Sequence, residues 1–182
     1  MLTKHSPEYS VSKKAVFLDR DGVINVDYGY VSQIGKVVFT SGIFEGLIRL
    51  SDLGFKLIVV TNQSGVARGY HTEEDVLNLH KFITKIMKKN GVVLDTFFYC
   101  PHHPNATIKQ YKLECKCRKP QNGMIETAVA QYGIEKEKSI LIGDKISDMQ
   151  AAKKSNIKGF LFEGGDFNQF VEDYIIGSYL SR

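Results

Sequence analysis

The chain of 182 residues has no apolar stretch long enough to cross a bilayer, which takes about 20 consecutive apolar residues. The first fourteen residues carry Lys4, His5, Lys13 and Lys14 and no apolar core, so no secretory leader is expected and the protein reads as cytoplasmic. Cysteine is scarce. Cys100, Cys115 and Cys117 are the only three, and an odd number gathered in one short stretch excludes a disulfide framework. Charge of either sign is not in excess: Lys and Arg number 24 against 20 Asp and Glu, a net charge of +4. That balance speaks against a dedicated nucleic-acid binder but would not repel an anionic metabolite. There is no internal repeat, low-complexity tract or linker. The length suits a single domain over residues 1–182, and no exposed apolar stripe demands a partner, so a monomer is expected.

What the chain does contain is an alternation. Apolar, β-branched runs fall at 15–18, 57–60, 96–99, 140–142 and 159–162, each short enough for a buried strand. Helical patterns separate most of them, at 43–53, 72–90, 123–132, 147–154 and 166–176. The clearest is 72–90: Thr72 as N-cap, three acids in the first turn, and Val76, Leu79, Ile83, Ile86 and Met87 on one stripe. Strands alternating with helices predict an α/β fold, a three-layer parallel sheet flanked by helices on both faces.

In such a sheet ligands collect outside the carboxyl ends of the strands, and the polar motifs lie there. Asp19 and Asp21 leave the first strand in Asp19-Arg20-Asp21-Gly22. Two carboxylates at one strand end can converge on a cation, with one attacking phosphorus and the other moving a proton. Thr61, Asn62, Gln63, Ser64 and Gly65 follow the second strand with hydroxyls and exposed N–H groups suited to phosphate oxygens. Arg118-Lys119-Pro120 offers two cations. Gly143-Asp144 follows the fourth strand, and Asp148 four residues on can cap or charge the next helix.

The order Asp-x-Asp-Gly, Thr-Asn-Gln-Ser-Gly, Arg-Lys-Pro and Gly-Asp-x-x-x-Asp resembles the haloacid dehalogenase (HAD) superfamily of phosphatases over residues 15 to 162. The resemblance implies a Rossmann-like fold of HAD type and an aspartyl-phosphate mechanism. Asp19 would be the nucleophile and Asp21 the general acid and then base. Mg²⁺ would be held by Asp19, Asp144 and the backbone carbonyl of Asp21. Thr61 and Lys119 would steady the phosphoryl group, with Asp148 orienting the site from behind. Only about twenty residues separate Asp21 from the 43–53 helix, too few for a cap domain.

Cys100, His102, Cys115 and Cys117 have the composition of a closed tetrahedral zinc site. Twelve residues separate His102 from Cys115, and this loop, 100–117, has little apolar content, so the metal would supply its folding energy. His102 fits the Cys-x-His spacing and His103 is given no ligand role. The zinc loop, the Arg-Lys-Pro after it and the leading motif resemble the D,D-heptose 1,7-bisphosphate phosphatases, and histidinol-phosphate phosphatases share that branch. Asp27-Tyr28-Gly29-Tyr30-Val31 and Ser64 are similar to the heptose type, which implies a sugar bisphosphate substrate met by Asp27, Tyr28, Gly29, Tyr30 and Arg118. Two other readings stand beside it: a histidinol-phosphate phosphatase, and a zinc-stabilised nucleic-acid-binding module using Lys109, Lys112, Lys116, Arg118 and Lys119.

Overall fold

A computed structural model of the chain describes residues 13–177. Lys4 and His5, on which the expectation about a leader partly rests, lie outside the described residues. Five parallel strands form one sheet in the order β3-β2-β1-β4-β5, namely β1 (Ala15–Leu18), β2 (Lys56–Asn62), β3 (Thr96–Cys100), β4 (Ile140–Gly143) and β5 (Lys158–Leu161).

The centre of the sheet follows from β1. All four of its side chains are fully buried, as a parallel strand covered on both faces must be. Val16 and Leu18 point into one core, Ala15 and Phe17 into the other. The first core is filled by α1 (Ile43–Asp52), α3 (Glu73–Lys89) and α6 (Phe167–Phe170) with its π-helical continuation Val171–Ile176. The second is filled by α4 (Gly123–Tyr132) and α5 (Ile146–Lys154). The expected three layers are therefore present. Phe17 faces Ile58 of β2 and Leu141 of β4 in register, and burying such a ring contributes roughly 1.5–3 kcal/mol.

Element ends moved where polar residues were still within the sheet or already helical. β2 runs on to Asn62, and Ser64–Ala67 form a single helical turn, α2, so in the polar Thr-Asn-Gln-Ser stretch Thr61 and Asn62 end the strand, Gln63 links them to the turn and Ser64 begins it. α3 begins as expected: the Thr72 side chain accepts from Asp75 N at 3.1 Å, and Asp75 Oδ2 accepts from Thr72 N at 2.8 Å. The 166–176 pattern holds as a helix, capped by Asp166, but widens after Phe170. Phe167, Val171 and Ile175 stay buried.

β1 has β2 on one side and β4 on the other, so the strand order reverses beside it and a crevice opens at the carboxyl ends. Residues 19–42, between β1 and α1, carry only two isolated bridges and one short 3₁₀ turn. No cap domain is inserted among the described residues.

Candidate active site

Asp19 continues β1 by donating its N–H to Ile142 O at 3.0 Å. Its Oδ1 accepts from Arg20 N at 2.7 Å and lies 3.0 Å from Lys119 Nζ. Lys119 is 3 % exposed and its ammonium also meets Asp148 Oδ1 at 2.7 Å and Val60 O at 2.7 Å. Burial opposes the charge, but Asp19 and Asp148 outweigh it and raise the lysine pKa. Such burial removes Lys119 from any surface basic patch of the kind a nucleic-acid-binding module would need.

Asn62 explains how a loop residue reaches so far inward. Its Oδ1 accepts from Lys119 N at 3.0 Å and its Nδ2 donates to Lys119 O at 3.0 Å, so one amide side chain grips both polar groups of one backbone residue. Gln63 Nε2 donates to Asp21 Oδ2 at 3.0 Å and to Thr61 Oγ1 at 2.9 Å. The expectation that these two amides meet substrate therefore changes: both line the cavity, yet their side chains are engaged by the site's own residues.

Asp21 is held from three sides. Arg20 forks onto it, Nη2 lying 2.9 Å from Oδ1 and 2.7 Å from Oδ2, and Asn25 Nδ2 donates to Oδ1 at 3.0 Å. Gln63 completes the set. Gly22 has φ +89°, and a Cβ there would fall 2.3 Å from Asp144 Oδ2, so only glycine lets this turn close onto Asp144.

Asp144 lies in the third wall. Carboxylate oxygens of Asp19, Asp144 and Asp148 lie within 4.8 Å of one another. Asp148 has little to spare: Oδ1 faces Lys119 and Oδ2 accepts from Lys145 N at 3.0 Å. Asp144 Oδ1 is buried with no hydrogen-bond partner. Burial, then the charge of Asp19, push its carboxyl up to about 6. Two adjacent carboxylates, one with an orphaned oxygen, suit a hard divalent cation.

Asp19, Asp21, Thr61, Asn62, Gln63 and Lys119 line an open cavity of about 590 Å³. Asp27, Gly29, Tyr30, Ser64, Arg118 and Lys145 line other parts of it. Asp27 Oδ1 accepts from Gly29 N at 2.9 Å and Oδ2 from Lys145 Nζ at 2.9 Å. Burial raises the Asp27 pKa, but the Lys145 ammonium and the Gly29 N–H outweigh it and leave the carboxyl below its ordinary value. Tyr30 packs edge-on against Tyr70 with ring centroids 4.8 Å apart. Tyr28, expected in the site, is 67 % exposed and lines a neighbouring depression instead.

The cysteine cluster forms as the spacing predicts. Ligand atoms of Cys100, His102, Cys115 and Cys117 lie within 4.8 Å of one another, with sulfur–sulfur separations of 3.0–3.4 Å. Three sulfurs and one imidazole nitrogen around one point match the donor set of a structural zinc ion. His103 is turned elsewhere, with Nε2 3.5 Å from Arg68 Nη2. The loop has further anchors: Thr107 N and Ile108 N both donate to Ala67 O at 3.0 Å, and Tyr111 Oη donates to Glu73 Oε1 at 2.8 Å. Arg118 Nη1 donates to His102 O at 3.3 Å, which ties a cavity cation to the cluster.

Four residues of this site escaped sequence reasoning. Arg20 and Asn25 are fully buried but look like solvated turn residues in the sequence. His80 carried a signal, since it lies on the buried stripe of α3 four residues after Val76 and three before Ile83. Lys145, next to Asp144, carried none.

Comparison with known proteins agrees with this geometry. The HAD-hydrolase-like family model matches residues 116–174. A D-glycero-beta-D-manno-heptose-1,7-bisphosphate 7-phosphatase of Photorhabdus laumondii is 50% identical over 143 residues, 79% of this chain and 76% of that protein. The protein of that name from Escherichia coli (strain K12) is 43% identical over 146 residues, 80% and 76% of the two chains. Among solved structures, a HAD-like phosphatase of Mesorhizobium loti superposes with TM-score 0.79 at 32% identity, covering 85% of this chain and 74% of that one. The D,D-heptose 1,7-bisphosphate phosphatase of B. bronchiseptica, complexed with magnesium and phosphate, gives TM-score 0.74 at 29% identity over 87% and 86%. The Asp-x-Asp-Gly strand end, the buried lysine and the clustered cysteines thus sit in a phosphatase: the chain belongs to the D-glycero-D-manno-heptose 1,7-bisphosphate 7-phosphatase family of HAD-like hydrolases.

Proposed function

We propose that this protein removes the 7-phosphate of D-glycero-D-manno-heptose 1,7-bisphosphate, releasing phosphate and leaving heptose 1-phosphate for nucleotide-activated heptose synthesis. One observation carries the reading. Asp19 and Asp21 stand in a single cavity with the cations Arg118, Lys119 and Lys145, an arrangement suited to a substrate with phosphate at both ends. The high identity to proteins bearing that name supports it.

The positions of the side chains support the following chemistry. A carboxylate oxygen of Asp19 attacks the phosphorus, and the bond from phosphorus to the C7 oxygen breaks. Asp21 gives its proton to that oxygen, so the sugar leaves as an alcohol rather than an alkoxide. Asp21, now ionised, takes a proton from water as the water attacks the aspartyl-phosphate. The Asp19–phosphorus bond then breaks and phosphate departs. Lys119, fixed between Asp19 and Asp148, balances charge on the phosphoryl oxygens, and Thr61 supplies a hydroxyl beside it. Asp19, Asp144 and the Asp21 carbonyl would hold Mg²⁺, which supplies charge neutralisation of the phosphoryl group. Arg118, Asp27, Gly29, Tyr30 and Ser64 meet the remainder of the substrate. Cys100, His102, Cys115 and Cys117 would hold Zn²⁺ as a structural ion. The chain works as one domain and a monomer in the cytoplasm, and none of its described helices is long and apolar enough to cross a membrane.

The test is kcat/KM for the heptose bisphosphate, as α and β anomers, against histidinol phosphate, with Mg²⁺ and with a chelator. Preference for a heptose anomer by more than about tenfold, lost on chelation, is expected. Equal or better use of histidinol phosphate would overturn the substrate assignment.

A further inference from the structure

Arg20 is the largest fully buried side chain among the described residues. A guanidinium without water is costly unless acceptors surround it. Here Nε and Nη2 fork onto Asp21, at 3.2 Å and 2.9 Å from Oδ1 and 2.7 Å from Oδ2. Nη2 also donates to Val31 O at 2.7 Å, and Nη1 lies 3.4 Å from His80 Nε2. The Arg20 backbone N–H reaches Asp19 Oδ1 at 2.7 Å. A single residue therefore touches both carboxylates of the motif and the end of the loop that carries Asp27, Gly29 and Tyr30.

His80 is placed to serve this guanidinium. It is 5 % exposed and stacks on Phe97, with centroids 4.3 Å apart and ring planes 21° from parallel. Burial and the nearby Arg20 charge hold its pKa down to about 3, so the imidazole is neutral at pH 7. With Nε2 as acceptor its proton resides on Nδ1. A neutral acceptor satisfies Nη1 of the arginine without adding another anion to the site. Neutralisation alone would not need this geometry. A planar fork fixes the orientation of a carboxylate as a point charge does not.

We propose that Arg20 is a positioning residue: backed by His80 and tied to Val31, it locks the Asp21 carboxylate toward the leaving oxygen and couples that orientation to the substrate loop. The inference rests on the reading of Asp21 as proton donor. Its consequence depends on the leaving group. A sugar alkoxide needs the proton, whereas an aryl oxide departs with little help.

The experiment measures kcat and KM with Mg²⁺ for wild type, Arg20→Met, Arg20→Lys, Asp21→Asn and the double variant Arg20→Met/Asp21→Asn. The substrates are heptose 1,7-bisphosphate and 4-nitrophenyl phosphate. Arg20→Met should lower kcat on the bisphosphate by about 10- to 100-fold and on the aryl ester by less than about threefold. KM for the bisphosphate alone should rise as the Val31 tie is lost. Arg20→Lys keeps the charge but not the fork, and should recover only part of the loss. On the bisphosphate the double variant should be no slower than Asp21→Asn, because both changes remove one function. Equal losses on both substrates, additivity in the double variant or full recovery with lysine would each overturn the proposal. If Asp21→Asn itself shows no leaving-group dependence, the proton-donor reading fails first, and that outcome is distinct. Should Arg20→Met not fold, His80→Phe keeps the stacked ring and removes the acceptor. It should show the same substrate-dependent loss at about 3- to 10-fold, and an unchanged ratio between the substrates would overturn the proposal.

Discussion

Lys119 Nζ lies 2.7 Å from Asp148 Oδ1, and the two side chains are only 2% and 1% exposed. Because the same ammonium touches Asp19 at 3.0 Å, one cation keeps two buried carboxylates tolerable. The three residues come from the end of β1, the loop before α4 and the first turn of α5, so the pair also joins distant parts of the chain at the site.

Removing the shared cation should therefore cost more than removing one of its partners. Lys119→Ala leaves two buried acids unpaired and should destabilise the metal-free protein by about 3–5 kcal/mol, the range for breaking a buried pair. Asp148→Ala leaves Lys119 with Asp19 and Val60 O and should cost less. Urea unfolding in a chelator checks the order, and a larger loss for Asp148→Ala would contradict it.

Asp19→Asn should abolish turnover, since an amide cannot form the acyl-phosphate. Retention of more than about a hundredth of wild-type kcat would contradict the covalent route, because acid–base help alone gives roughly 10²–10⁴. The comparison is made on a folded variant, verified by circular dichroism.

His80 should make the fold sensitive to acid. Its pKa is 6.5 in the unfolded reference and about 3 in the folded protein, so between these values the unfolded chain binds a proton that the folded chain does not. Its contribution is present above 6.5 and is lost as pH falls toward 3. Unfolding free energies at pH 7 and pH 4.5 should differ less in His80→Phe than in wild type. An identical difference in the two proteins would remove His80 as the cause.

The zinc cluster should be separable from the magnesium site. Purified protein should contain close to one zinc per chain, and Cys115→Ser should lose it, because a neutral hydroxyl replaces thiolate poorly. The loop 100–117 should then become a site of proteolysis, although the Ala67 and Glu73 anchors should confine the cuts to its Cys115–Cys117 end. Activity on the bisphosphate should fall because Arg118 leans on His102 O, and excess Mg²⁺ should not restore it. Full activity in a zinc-free preparation would contradict the positioning role of the loop.

The parts of this molecule legible in the sequence are those that repeat or cluster. Ala15–Leu18 read as a buried strand because a central parallel strand has no polar face to break its run, and α3 declared itself through Thr72, Asp75 and the stripe that ends at Met87. The cysteines showed the cluster because its donors are close in sequence. Arg20 did not show itself, since burial of a charge is decided by Asp21, Val31 and His80, which lie 1, 11 and 60 residues away. The amides of Asn62 and Gln63 suggested substrate contacts for a similar reason: nothing local reveals that the Lys119 backbone and Asp21 claim them first.

The function proposed for this site requires that phosphate leave C7 of a heptose 1,7-bisphosphate while the C1 ester stays intact. Phosphorus-31 NMR of the reaction with Mg²⁺ distinguishes the two, since the esters give separate resonances. The C7 resonance should disappear as inorganic phosphate grows in, while the C1 resonance persists with its anomeric coupling. Loss of the C1 resonance first, or no release from either position, would contradict the account.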